Sequence, residues 1–141
     1  MKRESITAER IDALLRFLPL FEAPGTQFVH HWAGGELTEE GTLTVPFPVY
    51  TDEVLLFFRL AGQTWWSDFG YNPREAREML KDDAFIARAT LDEVRTMLTY
   101  CVRAERFGDG MWAYLIESGQ IVALLRRLAV LRDALHHGAE Q

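Results

Sequence analysis

The residues of this chain whose types and spacing suit chemistry are concentrated in one run, Arg103-Ala104-Glu105-Arg106-Phe107-Gly108-Asp109-Gly110. Glu105 follows Cys101 by four residues and Leu98 by seven, which sets a carboxylate on the apolar face of a helix. A charge in that position must be at least half buried and paired, with an arginine, whose planar fork matches a carboxylate best, or with the backbone at the start of the next helix. In one reading Glu105, Arg106 and Asp109 form an acidic pocket with an anion anchor, Arg103 being a second candidate for the anchor. That arrangement would suit a small hydrolase or a ligand-binding domain. In the other reading Glu105 belongs to an ion pair that pins the corner between two helices. The second is preferred, because structural networks hold carboxylates as readily as active sites do. No residue is assigned as catalytic.

Other reactive chemistry is sparse. Cys101 is the one cysteine, so neither an internal disulfide nor a cysteine zinc site is available, and its position on a helix's inner face makes it an inert apolar thiol. Ser67 and Ser118 lie outside any Gly-x-Ser-x-Gly elbow, and Gly34-Gly35 is a turn signal without a phosphate loop. His30 and His31 are neighbours in an extended segment, where alternation sends them to opposite faces and prevents shared chelation. No metal and no cofactor is therefore expected. Arg126, Arg127 and Arg132 make a small basic strip, but Glu117 and Asp133 dilute it and the net charge is -6, so nucleic acid is a disfavoured partner. His136-His137 reads as a solvated helix end, where imidazole suits the dipole.

The segment 63–71, QTWWSDFGY, is dense in aromatics. Trp65, Trp66 and Tyr71, with Arg103, are the candidates for a ligand or partner surface, since aromatics anchor interfaces. The preferred reading is a loop folded over the core end of the preceding helix, which would bury indole rings and supply an N–H partner.

These residues need helices to hold them. Thr7 caps a first helix carrying Ile11, Leu14, Leu15 and Leu18, with Pro19 at its end. Residues 26–48 break the helical pattern and predict an irregular excursion or a short β-hairpin. Residues 52–61 are apolar around nearly the whole circumference and predict the central, most buried helix. Asn72-Pro73-Arg74-Glu75 starts a short helix, and Phe85 with Ile86 plugs the core after it. Thr90-Leu91-Asp92-Glu93 is a full capping box. Gly108 is the expected left-handed terminator of that helix, and Asp109 the cap of the next, 110–117. The last helix spans 120–136. About six helices with short links predict a mostly all-α, orthogonal bundle in a single domain of 141 residues, with disorder expected only at 1–5 and 138–141.

The run from Arg103 to Gly110, with the upstream Pro48-Val49-Tyr50, resembles the signature of small prokaryotic proteins grouped as domain of unknown function 6508. Members pair an Arg-x-Glu-Arg-Phe-x-Asp-Gly run with a Pro-x-Tyr before a helix, and Ile11-Asp12 with Phe17-Leu18-Pro19 and Phe21-Glu22 also fits. The resemblance implies the fold and brings no activity with it.

Apolar residues make up 48% of the chain and charged ones 26%, the balance of a folded soluble protein, and no run approaches a membrane span. The charged N-terminal stretch lacks a secretory signal, which predicts a cytoplasmic protein. The expected function is a small interaction or accessory protein that binds an unknown protein partner and forms a homodimer. The last helix or the aromatic loop is the expected interface, because that helix carries Val122 and Val130 off its apolar stripe.

Overall fold

A computed structural model describes residues 5–138, with side chains as far as 135. Of the disorder expected at 1–5 and 138–141, residues 1–4 and 139–141 lie outside the described residues, as do the His136 and His137 side chains, while Gly138 ends the last helix. The elements run α1 (Ala8–Leu15), α2 (Leu18–Glu22), β1 (Val29–Ala33), β2 (Phe47–Tyr50), α3 (Asp52–Ala61), α4 (Pro73–Leu80), α5 (Asp83–Ala87), α6 (Leu91–Arg103), a 3-10 turn (Ala104–Arg106), α7 (Met111–Glu117) and α8 (Gln120–Gly138). The chain is mostly helical with one small antiparallel sheet, as the pattern predicted. No helix among the described residues is long and apolar enough to cross a membrane.

Capping chemistry sets the boundaries. Thr7 accepts from Arg10 N, and Asn72 accepts from the Arg74 and Glu75 amides. At Thr90 both halves of the capping box are made. Two short helices exceed the expected six. Pro19 does not end the first helix; it sits in the first turn of α2, where its missing N–H costs no bond. Asp82 caps Phe85 N and turns the expected core plug into α5, which buries Ile86.

The core is organised around α8, not around the helix at 52–61. Ile121, Leu124, Leu125 and Leu128 of α8 are fully buried, and α8 packs against α1, α2, α5, α6 and α7. In α3, Val54, Phe57, Phe58 and Ala61 face inward, whereas Leu55 and Leu56 are 43% and 42% exposed. The apolar circumference of α3 thus has only one covered side. That side is aromatic: Phe57 meets Phe17, Phe21 and Phe58 at ring distances of 5.5, 5.0 and 5.1 Å, all edge-to-face.

The excursion at 26–48 is a hairpin that leaves the bundle. β1 and β2 pair antiparallel, an isolated bridge joins Leu37 to Leu43, and one residue is inserted between Val29 and His31. Pro46 and Pro48 fall two residues apart on the β2 side, so neither offers an N–H to a further strand.

Phe57→Ala should destabilise the fold by about 3–5 kcal/mol through cavity formation. Leu56→Ala, on the uncovered side, should cost under about 1 kcal/mol. Urea unfolding of both variants checks the assignment; equal losses would show that α3 has no such sidedness.

Candidate functional site

Glu105 lies in the 3-10 turn that continues α6, half-buried, and its carboxylate is the meeting point of three elements. Oε1 accepts from the Tyr50 hydroxyl at 2.7 Å and from Trp112 N at 3.0 Å; Oε2 accepts from Gly110 N at 2.8 Å. The side chain therefore caps the start of α7 from outside the helix. Gly110, the N-cap, has no side chain to do so, and its φ of +89° is a left-handed conformation that suits glycine. A Cβ at Gly110 would also meet the Trp32 ring at 3.4 Å.

Two expectations change here, and a third resolves between its alternatives. Of the partners expected for Glu105, an arginine or the backbone at the start of the next helix, the backbone is the one used, with the Tyr50 hydroxyl beside it. Asp109 does not cap α7, since Glu105 holds the amides that a cap would take, and Asp109 is exposed. Gly108 is not the left-handed residue, because the reversal of the chain falls two residues later, at Gly110.

Trp112 completes the corner. Its indole N–H donates to the Cys101 and Val102 carbonyls at 3.1 and 3.2 Å, relieving the unpaired acceptors at the end of α6. The ring stacks on Phe58 at 4.3 Å with 8° between planes and lies 5.4 Å from Tyr50. Burial, and then the Glu105 carboxylate, push the Tyr50 hydroxyl well above the ordinary tyrosine range. Burial likewise raises the Cys101 thiol, which keeps it unreactive.

Beside this corner is an open groove of about 470 Å³ whose lining includes Leu55, Phe58, Arg59, Glu105, Arg106 and Trp112. Arg106 is exposed at the rim and Asp109 takes no part. Phe107, 80% exposed, seals nothing. The run Glu105, Arg106, Asp109 thus does not converge on one point, and the carboxylate is already committed to three donors. This geometry suits positioning and gives no free base.

The aromatic segment is pinned to α6. Asp68 N donates to Thr99 Oγ1 at 2.9 Å, Thr96 Oγ1 donates to Asp68 Oδ2 at 2.7 Å, and Arg95 Nε donates to the Trp65 carbonyl at 3.0 Å. Trp66 is buried; Trp65 is half-buried beneath the Arg10 guanidinium, 3.9 Å from its ring. Arg103 sits 4.9 Å from the Tyr71 ring. Arg95 and Thr99 are buried polar residues that the sequence reading missed. Their signal was available: they are four apart on the inner face beside Val94 and Leu98.

The strip on α8 is engaged within the chain. Arg126 pairs with Glu22 at 3.0 Å, Arg127 Nε donates to the Ala89 carbonyl at 2.8 Å, and Arg132 grips Asp12 in a fork at 3.0 and 3.1 Å. His30 and His31 depart most from expectation. Their Nδ1 atoms lie 2.7 Å apart on the same side of the hairpin, because the inserted residue breaks the alternation.

Tyr50 and Glu105 are 55 residues apart in the chain, and each belongs to one of the two motif runs, Pro-x-Tyr and Arg-x-Glu-Arg-Phe-x-Asp-Gly. A model described as a family of unknown function, DUF6508, matches residues 6–134. No curated protein and no solved structure matches the chain.

Removing the Glu105 acceptor strands a buried hydroxyl and two amides, so Glu105→Ala should cost about 2–3 kcal/mol, against under about 0.5 kcal/mol for Arg106→Ala. The tyrosine adds a pH signature. Its folded value lies above the unfolded value of about 10, so its contribution is complete below about pH 10 and is lost as pH rises beyond it. Tyr50→Phe should flatten that alkaline loss. Unfolding free energies from neutral pH upward read both effects; a wild type and Tyr50→Phe with parallel alkaline profiles would contradict the assignment.

Proposed function

We propose that this chain, which belongs to the DUF6508 family of unknown function, is a small cytoplasmic interaction protein that acts by binding and self-association. One observation carries the reading. The hairpin leaves Trp32, Leu37, Leu43, Val45 and Phe47 between 47% and 75% exposed, an apolar arm left uncovered by the described residues. Single exposed apolar residues are ordinary; five on one short arm mark a contact surface.

A second copy of the chain is the partner we favour. Glu36, Glu39 and Glu40 lie in the arm's far loop, while Arg59 and Arg106 rim the groove at its base; none of these five side chains has a hydrogen bond or ion pair among the described residues. Tyr50, the last residue of the arm, is bonded to Glu105, which lines that groove. Two arms crossing antiparallel about a two-fold axis would set each acidic tip over the partner's arginine-rimmed groove. The helix-to-helix interface expected from α8 has less support, since its stripe is consumed by the core and only Val130 and Leu135, 55% and 39% exposed, remain. The aromatic loop is similarly occupied by α6. A pocket enzyme built on Glu105, Arg106 and Asp109 has less support again, because Glu105 is saturated and Asp109 stands apart. The buried free thiol of Cys101 suits a reducing compartment.

Sedimentation at low micromolar concentration should show a species of twice the chain mass. Leu37→Glu with Val45→Glu should raise the dimer Kd by about tenfold or more without loss of helicity. A wild-type protein that stays monomeric at tens of micromolar, independent of concentration, would remove the reading.

A further inference from the structure

The inserted residue in β1 puts two imidazoles where an alternating strand would have separated them. Val29 pairs with Tyr50 and His31 with Val49, so His30 has no partner across the ladder and its side chain joins that of His31. The distortion is held in place: the Gln27 side-chain amide donates to both the Val29 carbonyl at 2.7 Å and the His30 carbonyl at 3.1 Å. The two rings meet edge-to-face, with Nδ1 atoms 2.7 Å apart, and both are exposed. At this distance one ring donates its Nδ1 proton to the Nδ1 lone pair of the other.

We propose that His30 and His31 form a two-imidazole site for a divalent transition-metal ion that prefers square-planar or tetragonal coordination, copper(II) above all. The argument is geometric. An ion at about 2.0–2.1 Å from both nitrogens, with the nitrogens 2.7 Å apart, subtends an angle of roughly 80–85°. That is close to the right angle between neighbouring ligands in tetragonal copper or nickel sites. A tetrahedral zinc site requires the nitrogens about 3.3 Å apart, a larger spread of a pair held on adjacent residues. Affinity order points the same way, since copper(II) outranks zinc for nitrogen ligands. Binding shifts the shared proton from Nδ1 to Nε2 of the donor ring, and both exposed rings turn so that their Nδ1 lone pairs leave the N–N line and face the metal. No group of three or more potential protein ligands occurs among the described residues, so water completes the coordination. Gln27 acts as a positioning residue through the backbone it fixes.

The test uses the full chain carrying His136→Asn and His137→Asn, which removes the other histidine pair. Copper(II) chloride alone is titrated by calorimetry with glycine as competitor, and the complex is read by electron paramagnetic resonance. One copper per chain with hyperfine structure from two nitrogens is expected. His30→Asn or His31→Asn should each weaken binding about tenfold or more and leave one nitrogen, while Gln27→Ala should weaken it less and keep both, at unchanged helicity. Zinc should bind at least about tenfold more weakly. The proposal is overturned if copper binding does not saturate at tens of micromolar, if either single-histidine variant binds like its parent, or if zinc competes on equal terms.

Discussion

The carboxylate of Glu105 is the joint on which this architecture depends. Three parts of the chain arrive there without local reason to stay together: the end of α6, the base of the hairpin and the first turn of α7. None could supply its own closure. The N-cap of α7 is a glycine, Tyr50 ends a two-stranded sheet too small to stand alone, and α6 ends on carbonyls that need donors. One side chain satisfies a phenol and two amides, and Trp112, placed by that arrangement, returns an N–H to the carbonyls of α6. The acid on the apolar face is thus the opposite of an unpaired charge.

This arrangement also decides what the groove beside it can do. A carboxylate holding three donors is oriented and occupied, and Arg106 is left at an open rim without a side-chain bond among the described residues. The polar investment continues along α6, where Arg95, Thr96 and Thr99 fasten the aromatic segment by its backbone as well as by Asp68. Helix α6 therefore serves as a spine for two irregular regions, the loop at one end and the corner at the other. What the bundle leaves outside itself is the hairpin.

Much of this was legible in the residues. The capping box at Thr90, the Asn72-Pro73 start and the hairpin at 26–48 are local signals, and local signals survive folding. The inward position of Glu105 and its bond to the start of the next helix were legible from spacing, but Tyr50 was not, because it lies 55 residues away and only the fold brings it near. Pro19 was ambiguous in principle, since proline both stops one helix and opens the next. Gly108 and Gly110 offer the same freedom two residues apart, and the backbone uses the second. The density of apolar residues in α3 could not say which side would be covered. The histidine pair was misread for a similar reason: a bulge is a property of how β1 registers on β2, and no periodicity within β1 announces it.

The prolines on the outer strand have a consequence for how far association can go. A two-stranded sheet has two free margins, and a monomer with two adhesive margins can add copies without end, which is the route to fibres. Here Pro46 and Pro48 stand on the β2 side and carry no N–H for another strand, while the Gln27 amide takes carbonyls of β1. A unit with one adhesive margin is a chain terminator. Copies of such a sheet could pair at its edge once at most, through β1, with the blocked margins outward. Strand-by-strand growth would halt there, so an apolar arm of this kind carries its own stop against polymer formation.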